Sequence, residues 1–200
     1  MNKTTSNLLS VLATAVIVSP FAASFLNRSE APAPAPAVRS PQPAPVRVVT
    51  DPVAWFQAIR PRCTPADVTL STDLNRPPKG VQGTGYEAAC FALAHRIPKA
   101  RAILLGLPED DRIRGASIVY DVAEDLATRG KHDMAGPLME LVLEFWPNHY
   151  LALYEAGSAR FASGDLAGAQ NYLTRFLEVN EGNEDLVANA QRMIGDYAER

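Results

Sequence analysis

Three stretches of the 200-residue chain recur at a fixed interval. His95, Gly130 and Gly164 stand 35 and then 34 residues apart, and Ala100, Ala135 and Ala169 keep the same intervals. Ala88, Ala123 and Gly157 do so too, each seven residues before its turn. A period near 34 with small residues at matched points marks stacked helix–turn–helix units. The predicted fold is therefore all-α, an α-solenoid of about three helical hairpins. That architecture mostly holds other molecules rather than transforming them.

The units read as helix pairs. YEAACFALAHR and PKARAILLGL form the first, around His95 and Arg96. IRGASIVYDVAEDLATRG and KHDMAGPLMELVLEFW form the second, and HYLALYEAGSARFASG and DLAGAQNYLTRFLEV the third. Gly130 and Gly164 suit the left-handed residue that ends a helix, and Asp165 suits the cap of the helix that follows. Small residues on both helices of a pair allow close approach. Leu104, Met139 and Leu173 lie one turn beyond Ala100, Ala135 and Ala169 on the same face. Ahead of the units, Asp51-Pro52 opens a short apolar helix, Thr64-Pro65 repeats the device, and Asn75–Gly85 reads as a turn-rich loop. After them, Leu186, Val187, Ala190, Met193, Ile194 and Tyr197 share one face of a predicted helix whose other face is charged. That pattern fits a capping helix at the open end of a stack.

Ala156-Gly157, Ala159, Phe161, Gly164-Asp165, Ala169 and Leu177 in the third unit, with Ala123, Gly130, Ala135 and Pro147 in the second, resemble the tetratricopeptide repeat family. The resemblance covers about residues 84–181. The first unit departs from the pattern, with His95 where glycine is usual and a short second helix ending at Pro108. The resemblance implies a groove lined by the first helices of successive units. Tyr120, Glu124, Tyr154, Ser158 and Phe161 fall on those helices and are the candidate partner-binding residues. Members that clamp a terminal carboxylate carry Lys, Arg and Asn there, so that activity does not transfer to Tyr, Glu and Ser. A second aromatic cluster, Phe145, Trp146, Pro147, His149 and Tyr150, sits at a unit junction, where core packing is its expected role.

Residues 1–26 are expected to be a membrane anchor or signal segment, 27–50 an extended linker, and 51–200 the helical domain. Leu8–Leu26 holds 19 residues without a charge, enough to cross a hydrocarbon layer as a helix. Lys3 ahead of it places Met1 in the cytoplasm and the domain outside, although Arg28 weakens that vote. The alternative is a cleaved signal peptide, with its best site near Ala22 and Ser24. Six of the 16 prolines fall between Pro32 and Pro45, in an Ala-Pro alternation that favours an extended polyproline conformation.

Charge narrows the partners. Residues 1–50 carry Lys3, Arg28, Arg39 and Arg47 against Glu30, a net of +3, so a total of -3 leaves -6 for the rest. An acidic domain argues against nucleic acid and against tight docking on anionic lipid. Cys63 and Cys90, 27 apart, form no redox or haem motif. Outside the cytoplasm a disulfide is their expected fate, contributing about 3 kcal/mol, while two buried thiols are the alternative. His95, His132 and His149 lack metal-binding spacing, and Glu109–Asp111 suit a helix start. No catalytic set, metal site or cofactor motif is found.

The expectation is a single-pass protein of a bacterial inner membrane with a periplasmic scaffold domain. It would bind protein as an accessory subunit of a photosynthetic, respiratory, envelope or division complex. A soluble periplasmic or secreted peptide-binding adaptor is the alternative after signal cleavage.

Overall fold

The computed structural model describes residues 49–180 and 182–198. The Leu8–Leu26 run and residues 27–48 of the linker lie outside them, so the expected anchor is not among the elements below. All regular structure in the described residues is helical. No helix among them is long and apolar enough to cross a membrane. The elements are α1 (Pro52–Ile59), a 3₁₀ turn (Arg60–Arg62), α2 (Val68–Leu74), α3 (Val81–Leu93), α4 (Ile97–Leu105), α5 (Glu109–Thr128), α6 (His132–Phe145), α7 (Tyr150–Ala162), α8 (Leu166–Val179) and α9 (Glu184–Ala198).

Three helix pairs, α3–α4, α5–α6 and α7–α8, are joined by turns of one construction. His95, Gly130 and Gly164 have φ of 56°, 72° and 82°. In each turn the next N–H reaches back five residues: Arg96 to the Phe91 carbonyl, Lys131 to Leu126, and Asp165 to Arg160, at 2.9, 2.9 and 3.0 Å. These bonds satisfy carbonyls that a helix end would otherwise leave open. His95 performs the glycine's role despite its side chain, so the departure in sequence is no departure in backbone.

The matched small residues do what their spacing implies. Ala88, Ala123, Ala100 and Ala135 are fully buried, as are Leu104, Met139 and Leu173. At Gly157 an added Cβ would come within 2.6 Å of the Leu173 side chain, so α7 and α8 meet closer than an alanine allows. α5 packs against α3 and α6, α7 against α6 and α8, and α9 against α8 and α7. Leu186, Val187, Met193 and Ile194 pack on the common core, and Ala190 is fully buried. Arg160 ties three elements through the Glu140 carboxylate of α6, at 2.7 Å, and Asp165, at 2.9 Å.

Two local expectations change. The loop predicted for Asn75–Gly85 ends at Gly80, and Gly83 and Gly85 lie inside α3. Their lack of a side chain serves packing: a Cβ on Gly83 would collide with the Pro78 carbonyl, and one on Gly85 with Ile118. Thr64 does not cap a helix beginning at Pro65. Its Oγ1 accepts from the Asp67 N–H at 3.2 Å, closing a turn before α2 starts at Val68. Asp51 and Asp165 do cap, accepting from the N–H groups of Ala54 and Gly168.

Cys63 and Cys90 are joined in a disulfide, with Cα atoms 4.9 Å apart. It fastens the segment after α1 to the last turn of α3. Phe56 stacks on Tyr86 at 4.8 Å, and Arg60 meets Asp125 of α5 at 2.6 Å.

Candidate functional site

A groove of about 480 Å³ opens between α7 and α9, with the start of α6 at its rim. Tyr154 and Ser158 of α7 lie one helical turn apart and form one wall, and Leu186, Asn189 and Met193 of α9 form the other. His132 and Arg192 sit at the exposed margins. The Tyr154 ring is held from behind by Phe176 of α8, at 5.3 Å between centroids. Phe176 is completely buried, so the ring's position is set by the core. The Ser158 hydroxyl is buried and finds no hydrogen-bond partner among the described residues. An unpartnered buried hydroxyl costs stability.

Glu155 lines the same groove, and its Oε2 lies 3.5 Å from His132 Nδ1. Burial pushes its carboxyl above the ordinary range and the Glu124 carboxylate pushes the same way, while His132 opposes both. A carboxyl raised in the fold carries no penalty below its unfolded value of 4.5, because both states are then protonated. The penalty grows as pH rises through the raised value and stays constant above it. Glu155→Gln should therefore raise the melting temperature at pH 7 and leave it nearly unchanged at pH 4. Thermal unfolding of both variants across that range measures the difference.

The other sequence candidates lie elsewhere. Tyr120 donates to Glu124 Oε1 at 3.1 Å and packs on His149, with centroids 4.2 Å apart. Burial and the Glu124 carboxylate raise the Tyr120 phenol. His149 in turn meets Trp146 at 4.4 Å and caps α7 by accepting from the Ala152 N–H. Its basicity is lowered, chiefly by burial. Tyr120 thus joins the junction cluster, with Trp146 partly exposed at its edge. Phe161 packs against the core. Of the five candidates, Tyr154 and Ser158 line the groove, and Tyr120, Glu124 and Phe161 are not among its lining residues.

Sequence reasoning missed the groove's second wall. The polar members Asn189 and Arg192 sit on α9 beside the apolar stripe that docks it. The stripe was visible in the sequence, but the helix it would face was not. Among the described residues no three His, Cys, Asp or Glu side chains converge to hold a metal ion. Comparison of the chain with family models, with curated proteins and with solved structures finds no match.

Proposed function

We propose that the chain is a membrane-anchored scaffold whose helical domain, a stack of tetratricopeptide-like hairpins closed by α9, binds protein in the α7–α9 groove. The domain faces the periplasm in this reading, and the protein is an accessory subunit of a larger membrane complex rather than an enzyme. The groove is the observation that carries it. It pairs an aromatic wall, fixed by the buried Phe176, with an unsatisfied hydroxyl. A rigid tyrosine offers large contact area at small entropic cost. The identical turns support the repeat reading, and the uncharged Leu8–Leu26 run supports the anchor.

Purification of the full chain from its native membrane in mild detergent tests the proposal. The expected result is stoichiometric co-migration with a larger complex. Arg192→Glu, at an exposed groove margin, and Tyr154→Ala should each reduce the co-purified partner about tenfold, the loss expected for one contact worth about 1.4 kcal/mol. Arg192→Glu leaves the core untouched and so separates binding from folding. Recovery of a free monomer overturns the subunit reading. A mature chain lacking the Leu8–Leu26 run moves the function to the soluble adaptor.

A further inference from the structure

The folded charge is not evenly spread. Residues 51–107 hold seven Lys and Arg against four Asp and Glu, a net of +3, while residues 108–200 hold eight against seventeen, a net of -9. The basic end also carries the most exposed leucines of the described residues, Leu70 at 64% and Leu74 at 70%. Both lie on α2, four residues apart and therefore on one face. The opposite face docks through Val68, Ser71 and Thr72, which are buried. Covering Leu70 and Leu74 would gain apolar burial that the described fold leaves unused.

Cations flank this pair at both ends. Arg76 and Lys79 follow α2 directly, and Arg62 precedes it. Arg96 reaches the same end, donating to the Pro65 carbonyl at 3.1 Å. None of these four forms an ion pair among the described residues, whereas Arg60 beside them is held by Asp125. Asp67 and Asp73 are the carboxylates on α2 and its approach, and Glu87 of α3 lies within electrostatic reach of Asp73, so four cations stand against three anions. The chain enters the domain at this same end: Val49 leads into α1, and Trp55 of α1 donates its indole N–H to the Asn75 carbonyl at the end of α2. Twenty-two residues, 27–48, separate the uncharged Leu8–Leu26 run from Val49.

We infer that α2 is a bilayer-docking face: Leu70 and Leu74 enter the interface of an anionic membrane while Arg62, Arg76, Lys79 and Arg96 meet its lipid phosphates. The inference rests on the anchored reading for its tether, and it departs from the expectation that an acidic domain avoids anionic lipid. The overall charge is acidic, but residues 51–107, which follow the linker in sequence, carry a net +3. A tether keeps the local lipid concentration high, so a weak apolar and cationic face suffices to hold the domain down. The acidic remainder, with the α7–α9 groove, is then the part repelled from the headgroups.

The test uses the full chain in phosphatidylcholine vesicles with and without about one-third phosphatidylglycerol. Flotation and amide hydrogen exchange over Thr69–Asn75 are read together. The expected result is flotation on both, with exchange in α2 slowed about tenfold on anionic vesicles alone. That protection should disappear in Leu70→Ser/Leu74→Ser, in Arg76→Glu/Lys79→Glu and at high salt. All four positions are exposed, so circular dichroism should show an intact fold. A chain that floats with the same α2 exchange on both vesicles overturns the docking face and leaves the anchor standing. Protection that persists without anionic lipid overturns it in favour of a second copy or a protein partner. A chain that does not float overturns both readings.

Discussion

Phe176→Ala should lower the stability of the domain by about 3–5 kcal/mol. Phe176 is fully buried on α8, among the core-facing side chains that join α8 to α7. Truncation removes the transfer energy of the ring and leaves a cavity that the close α7–α8 packing cannot collapse, because Gly157 already seats Leu173 against α7. For a folded part of about 150 residues the melting temperature should fall by roughly 10 °C or more. The same change removes the support behind Tyr154, so a groove-bound partner should be lost at temperatures where the helices persist. Urea unfolding followed by circular dichroism, with partner retention measured in parallel, separates the two effects. A loss below 1 kcal/mol would mean that α8 does not pack as described. Retained binding with lost stability would mean that the Tyr154 wall is not the contact.

Replacing both cysteines by serine should cost about 3–4 kcal/mol, from the entropy that a loop of this length regains in the unfolded chain. The expected damage is local first. The disulfide joins the segment after α1 to α3, and α2 lies within the closed loop. Reduction should therefore raise proteolysis and hydrogen exchange across residues 51–80 before it affects α5 to α9. Limited proteolysis with and without reductant, read by mass spectrometry, measures this order. Uniform loosening of all helices would show that the N-terminal layer and the later pairs melt as one unit. Free, alkylatable thiols in the native protein would remove the basis of the prediction.

The legible parts of this fold were those that recur. The turns at His95, Gly130 and Gly164 and the alanines around them were visible because a repeated backbone geometry demands the same small residue at the same offset. The disulfide was also accessible, since only one pairing of two cysteines exists. What escaped was set by contacts distant in sequence. Gly83 and Gly85 look like loop residues, since glycine weakens helices, and only Pro78 and Ile118 explain why α3 tolerates them. The groove was half legible. Tyr154 and Ser158 lie on a predicted first helix, but the α9 wall depends on how the last helix seats. Tyr120 shares Tyr154's place in the period yet meets a different neighbour, because His149 fills the space beside it. Equivalent sequence positions thus acquired different surroundings from the layers stacked on them.

The seating of α9 has one more consequence. It rests on α7 and α8, and its Leu186, Asn189, Arg192 and Met193 form one side of the groove. A helix that packs on one neighbouring hairpin can open locally while the rest of the fold persists. Local opening of α9 would therefore remove one wall of the groove without unfolding α7 and α8. The integrity of that wall is a local quantity, set by how firmly Leu186, Ala190 and Met193 adhere to the core.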